Sequence, residues 1–141
     1  MNADAIERLG ALVGRWKTEG RTVDGDRIDA VDTYERLPGG ALLHLVDARV
    51  GDQKVEGAEI IGYEPARGSY LTRYFGTDGA NEYEASLSEE GGALVCAMRS
   101  ERDRFTGSFS ADRRVLTGHW EALADDSTWR PWMDITLTRE R

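Results

Sequence analysis

The chain has 141 residues, with 18 Lys and Arg against 26 Asp and Glu and a formal net charge of −8. This length suits one domain around a single hydrophobic core, so we expect residues 1–141 to form a single domain. The acidic balance disfavours nucleic acid, and no apolar stretch approaches the roughly 18 residues of a membrane-spanning helix. The lone cysteine, Cys96, cannot form an intramolecular disulfide, which favours a cytoplasmic protein.

The first segment has the pattern of a short amphipathic helix. Its apolar residues recur at helical spacing: Ile6, Leu9, Leu12 and Val13. Asn2 or Asp4 is placed to cap its start. The sequence therefore predicts one helix over about 2–13.

From Gly14 the pattern changes to a period of two, and the charged residues from Arg15 to Arg21 fall on one parity. Short β-rich runs then alternate with turns of Gly, Pro, Asp or Ser as far as the C-terminus. The predicted strands are 14–23, 27–37, 41–50, 55–63, 69–76, 81–88, 93–100, 103–110, 115–123 and 132–140. Their hairpin-length connections and the lack of a second long helix predict an antiparallel meander.

A sheet of about ten strands with one apolar face removes its unpaired edges by closing on itself. We therefore expect an all-β protein, a closed antiparallel up-and-down β-barrel over about 14–141. A β-sandwich shows the same alternation, so the pattern by itself leaves that alternative open.

The residues at the two ends of this predicted barrel resemble the calycin superfamily of lipocalin-like barrels. Gly14 and Trp16 open the first strand directly after the helix, and Arg139 lies near the end of the last strand. The resemblance implies that the indole closes one end of the barrel with the guanidinium over its face.

Five further segments resemble a bacterial family known as domain of unknown function 1579. They are Leu-Val-Gly-Arg-Trp-Lys-Thr-Glu-Gly at 12–20, Leu-Pro-Gly-Gly at 37–40, Glu-Ile-Ile-Gly-Tyr-Glu at 59–64, Gly-His-Trp-Glu at 118–121 and Trp-Arg-Pro-Trp-Met-Asp at 129–134. This resemblance implies a closed lipocalin-like barrel without an agreed activity. Nitrobindin has a similar barrel and holds haem through a late histidine, whereas the last predicted strand here contains none. We therefore expect no haem, and no other cofactor.

The sequence supports few catalytic groups. Neither Cys-x-x-Cys nor His-x-x-x-His spacing occurs, so no metal site is predicted. Cys96 lies in mid-strand among apolar residues, which is typical of a packed side chain rather than a nucleophile. The two histidines are His119 and His44, and the latter lies in an apolar strand where a buried imidazole needs a polar partner.

Aromatic residues from most strands must converge on the barrel interior or its mouth, where they would contact a ligand. The predicted ligand-binding residues are Tyr34, His44, Arg73, Tyr83, His119 and Trp132. The orientation of Arg73 has two alternatives. It faces inward with Asp32 or Glu35 as its partner, or it is solvated while Tyr70, Thr72 and Tyr74 face inward.

Three functions fit these observations. The first is binding of a small apolar or aromatic ligand inside the barrel, with His44 or Arg73 fixing a polar end. The second is an isomerase, cyclase or hydrolase that uses a carboxylate, Tyr or His of the same cavity for acid–base chemistry. The third is a filled-core interaction module, and a homodimer through the outer face is possible.

Overall fold

The computed structural model describes residues 2–141, which form one short helix followed by ten strands. Helix α1 spans Asn2–Arg8 and continues as a 3₁₀ turn at Leu9–Leu12, and a second 3₁₀ turn lies at Pro38–Gly40. The strands are β1 (Gly14–Thr22), β2 (Arg27–Arg36), β3 (Leu42–Val50), β4 (Gln53–Glu64), β5 (Ser69–Gly76), β6 (Gly79–Glu90), β7 (Ala93–Arg99), β8 (Asp103–Phe109), β9 (Val115–Leu123) and β10 (Trp129–Arg139).

Every strand pairs antiparallel with its neighbours in sequence, and the sheet closes through pairing of β1 with β10. The closing register runs from Trp16 opposite Arg139 to Thr22 opposite Met133. The predicted closed up-and-down barrel is therefore confirmed, and the sandwich alternative is wrong.

The element boundaries differ from the prediction in a few places. Strands β4 and β6 are longer than predicted because the turns before them are tight enough for pairing to begin at Gln53 and Gly79. Strand β10 begins at Trp129, ahead of a bulge next to Pro131, where a residue without an N–H is tolerated. The Asn2 side chain, one of the two predicted helix caps, lies outside the described part of the chain.

One end of the barrel is closed by the helical segment and Trp16. The indole is fully buried and donates a 2.8 Å hydrogen bond from Nε1 to the carbonyl of Leu12. The Arg139 guanidinium lies 4.2 Å from the centroid of the indole ring and also donates to the carbonyls of Ala11 and Val13. One side chain thus links the last strand to the segment that precedes the first.

Gly14 makes this approach possible. Its φ of 135° is strained for other residues, and a Cβ there would lie 2.7 Å from Nη1 of Arg139. The positions that share the calycin resemblance therefore form one contact at the closed end.

The outer face carries apolar residues on three adjacent strands, with Leu45, Ile60 and Phe75 exposed on β3, β4 and β5. Nothing in the structure shows what covers them, so the homodimer stays a prediction. In residues 2–141, no helix has the length and apolar character needed to cross a membrane.

We expect Arg139→Gln to lower the free energy of unfolding by about 2 to 3 kcal/mol, because it removes the cation over Trp16 and leaves two carbonyls without a donor. Arg130→Gln is the matched control. Its guanidinium is exposed and pairs only with nearby groups of its own hairpin, so we expect a change within about 0.5 kcal/mol. Urea unfolding of both variants measures the difference, and equal losses would show that Arg139 has no special role at the closed end.

Candidate functional site

The barrel encloses a cavity of about 540 Å³, which lies within the usual range of small-molecule sites. Small side chains create much of this space, since Ala30, Ala48 and Ala85 line it where larger residues would fill it. Leu9 and Leu12 form its floor at the closed end. The opposite end, between the loops of the other rim, is the mouth.

A row of polar side chains crosses the cavity wall from β2 to β5. The strand registers place Tyr34 opposite His44, His44 opposite Glu59, and Glu59 opposite Tyr74. All four line the cavity. Because directly opposed residues of neighbouring strands point to the same face, the registers alone bring these groups together.

His44 is bound on both sides by carboxylates. Its Nε2 lies 2.6 Å from Oδ1 of Asp32, and its Nδ1 lies 2.9 Å from Oε1 of Glu59. The Tyr34 ring stacks on the imidazole, with ring centroids 4.0 Å apart and an interplanar angle of 6°. The second oxygen of Asp32 accepts a hydrogen bond from the Thr18 hydroxyl.

These contacts keep His44 positively charged at neutral pH. Burial by itself lowers its pKa, but the hydrogen bonds to Asp32 and Glu59 outweigh burial and raise the pKa to about 9. Burial and the same two carboxylates raise the pKa of the Tyr34 hydroxyl well above its usual value, so this phenol stays neutral. One cation between two carboxylates leaves the cluster with one net negative charge.

Two acceptors of this wall have no partner among residues 2–141. Oε1 of Glu59 contacts His44, whereas Oε2 makes no hydrogen bond to the described chain, although the residue is only 5% exposed. The hydroxyl of Thr72, on the adjacent strand, is buried without a hydrogen-bond partner. The Thr72 hydroxyl is fully buried, which is costly without a partner, whereas Oε2 of Glu59 is not among the fully buried unpaired atoms and faces the cavity.

The wall formed by β6 and β8–β10 is aromatic. Trp120 lies at its centre, with ring centroids 5.2 Å from Phe105, 5.7 Å from Tyr83 and 6.0 Å from Trp132. Tyr83 also donates a 3.3 Å hydrogen bond to Asp103, which fixes its ring. The cavity thus has a polar side and an aromatic side.

The mouth is acidic. Asp24, Asp26 and Asp78 line it, and the Tyr74 hydroxyl donates a 2.7 Å hydrogen bond to Asp78. The Tyr74 side chain lies so close to Gly57 that a Cβ there would collide with its hydroxyl oxygen and ring. Across the described residues, neither lysine nor arginine lines the cavity.

Four of the six predicted ligand-binding residues line this cavity: Tyr34, His44, Tyr83 and Trp132. Their role in binding stays a prediction. Trp132 is 38% exposed and lies toward the mouth, whereas His44 lies deep in the polar wall.

The other two predicted residues lie on the outer face, and their assignment to the interior is corrected. Arg73 is exposed because Thr72 takes the inward parity of β5, and its guanidinium pairs with Glu82 at 3.2 Å. Of the two alternatives for Arg73, the structure therefore shows the solvated one, with Tyr70, Thr72 and Tyr74 lining the cavity. The proposed inward partners do not contact it, since Asp32 binds His44 and Glu35 is exposed. His119 is exposed on β9, with Trp120 taking the inward position.

Sequence reasoning did not identify Glu59 as a site residue. The signal was present, because the two-residue Gly51-Asp52 turn pairs Val50 with Gln53 and thereby sets Glu59 opposite His44.

Neither histidine is placed to act as an axial ligand of a haem iron inside the cavity. Both ring nitrogens of His44 are engaged with carboxylates, and His119 lies outside the cavity. In the described part of the chain, no cluster of His, Cys, Asp and Glu is arranged to hold a metal ion. Burial raises the pKa of the Cys96 thiol to about 12, so it stays protonated and is a poor nucleophile.

No protein-family model matches this chain, and no curated protein matches it. Solved structures do resemble it. The crystal structure of Rv2717c from M. tuberculosis has a TM-score of 0.69 at 12% identity, covering 97% of this chain and 98% of that one. The S-type phycobiliprotein lyase CPES from Guillardia theta has a TM-score of 0.62 at 10% identity, covering 100% of this chain and 94% of that one.

A redesigned β-barrel, mFAP0, solved bound to DFHBI, has a TM-score of 0.50 at 12% identity and covers 92% of this chain and 99% of that one. Identities this low show a shared closed β-barrel fold and nothing finer.

We expect the stability of the protein to depend on pH through His44. Because its pKa in the folded state lies above the unfolded value, its stabilising contribution is complete below about pH 6.5 and is lost as the pH rises through about 9. The free energy of unfolding should fall by roughly 3 kcal/mol across this interval.

Urea unfolding at several pH values measures this slope. His44→Gln should abolish most of it, whereas the exposed control His119→Gln should retain it. The same slope in both variants would show that His44 is not the group responsible.

Proposed function

We propose that this protein binds one small, largely apolar or aromatic molecule inside the barrel. The observation that carries the proposal is the hollow interior, where about 540 Å³ lies between an aromatic wall and a buried charged cluster. Stable domains fill such space with side chains unless it has a use, because an unfilled apolar interior lowers stability. The likeness to mFAP0, a barrel bound to DFHBI, supports the proposal.

Binding follows from removing the ligand from water. When a flat ring moves from water onto Trp120 and Phe105, the binding free energy becomes more favourable by about 25 cal/mol for each Å² of apolar surface that is buried. Edge-to-face contacts with these rings also favour particular orientations of the ligand ring. Because the hydrogen bonds of Tyr83 and His44 hold those side chains in place, little ordering is required when a ligand enters.

The alternatives have less support. A catalytic base at His44 needs a free ring nitrogen, and both nitrogens are engaged. An interaction module with a filled core would not contain a cavity of this size. A cytoplasmic location remains part of the proposal, and the single buried cysteine supports it.

A titration with uncharged lipophilic and aromatic compounds tests the proposal. We expect saturable quenching of tryptophan emission, because Trp120 and Trp132 line the cavity. A ligand at about one hundred times its Kd should also stabilise the fold by about 2.7 kcal/mol. If a broad set of such compounds changes neither emission nor Tm, the protein is not a binder of this class.

A cavity-filling variant locates the binding. Ala48→Phe places a ring inside the barrel, and we expect affinity to fall at least about tenfold. Thr106→Phe places the same ring on the outer face of β8 as a control, and affinity should stay unchanged. Equal losses in both variants would place the site elsewhere.

A further inference from the structure

We propose that the ligand carries a cationic or N–H donating group that binds Glu59, and that the cavity rejects carboxylates. This inference rests on the proposed function and specifies the chemistry of the molecule that the interior takes. It follows from the charges, the hydrogen-bond inventory and the aromatic surfaces of the cavity.

Apart from His44, every charged side chain that lines the cavity is acidic. Asp24, Asp26 and Asp78 line the mouth, and the buried cluster adds one net negative charge. No lysine or arginine among the described residues lines the cavity to offset them. A carboxylate that enters must therefore lose its water without gaining a cation in exchange, whereas an ammonium group is attracted at each step.

Glu59 is the member of the cluster that still has an open acceptor. Asp32 uses one oxygen for His44 and the other for Thr18, and His44 uses both nitrogens. Oε2 of Glu59 has no partner in the described chain, and the residue lines the cavity. His44 thus acts as a positioning residue, because it holds one oxygen of Glu59 and leaves the other for the ligand.

Thr72 marks the place where the polar end of the ligand binds. Its buried hydroxyl has no partner, and it lies one inward position from Tyr74, the cross-strand neighbour of Glu59. A primary ammonium has three N–H groups, so one can bind Oε2 of Glu59 while another points toward Thr72. The Thr72 hydroxyl is fully enclosed, so a hydrogen bond to it requires its side chain to rotate toward the cavity.

The aromatic wall favours the same class of ligand. Trp faces attract cations, and a ligand cation passing through the mouth meets Trp132 before it reaches the deeper Trp120. An aromatic amine matches both sides of the cavity, because its ring packs on the tryptophans while its nitrogen binds Glu59.

Three naphthalene probes that differ in one group test the inference at pH 7: 2-(aminomethyl)naphthalene, 2-naphthalenemethanol and naphthalene-2-carboxylate. Calorimetric titration gives each Kd, and tryptophan quenching reports entry into the barrel. We expect the amine to bind at least about tenfold more tightly than the alcohol, because both can donate a hydrogen bond to Glu59 but only the ammonium carries a positive charge to pair with the carboxylate. The carboxylate should bind most weakly.

Glu59→Gln tests the assigned residue because it keeps the shape of the side chain and removes its charge. We expect the preference for the amine over the alcohol to fall below about threefold. Glu82→Gln removes an exposed carboxylate of the outer face and should leave the preference unchanged. If Glu59→Gln does not fold, Glu59→Asp keeps the charge but withdraws it by one methylene, and the amine alone should weaken.

The outcomes separate the inference from the proposed function. Equal affinities for the three probes, or tightest binding of the carboxylate, would overturn the inference and leave interior binding intact. An equal loss of preference in Glu82→Gln would overturn the role of Glu59, because net charge alone would then explain the selectivity. If none of the probes binds, the inference fails, and the proposed function fails with it when the broad set of uncharged compounds also changes neither emission nor Tm.

Discussion

The pairing of β1 with β10 is the constraint on which the interior depends. Until these strands meet, the inward residues of all ten strands lie on one face of an open sheet, and neither a cavity nor a buried ion cluster exists. The contact of Arg139 with Trp16 fixes this closure at one end, because it joins the last strand to the segment before the first. Closure also removes the exposed sheet edges that promote aggregation.

Closure creates a low-dielectric interior, and burying the polar cluster there costs desolvation free energy. A lone carboxylate there would be uncompensated, but Asp32 and Glu59 share the charge of His44, and Tyr34 covers its ring. Replacing a buried ion cluster by apolar side chains of the same size often leaves stability unchanged or raises it. Stability alone therefore does not explain the charges in this wall, which agrees with the proposed binding role.

The fold was largely predictable from the sequence because turn residues and a period of two repeat through the whole barrel. The site was less predictable. His44 stands out as a polar residue in an apolar strand and Tyr34 as an aromatic one in a charged strand, whereas Arg73 shares its parity with Leu71 and Phe75, which left an inward orientation open. Those two apolar residues are exposed on the outer face, so the parity of apolar residues could not decide between the two alternatives for β5, and the structure shows the one with Arg73 solvated. Cross-strand register, which the tight turns determine, is the better guide.

The plug at the helical end has a topological consequence. With Leu9, Leu12 and Trp16 buried there, a molecule of the proposed class would have to enter and leave through the opposite rim. The barrel cavity is therefore open at one end only and does not form a channel through the protein. A bound ligand would therefore leave along the path by which it arrived, past Trp132 at that rim.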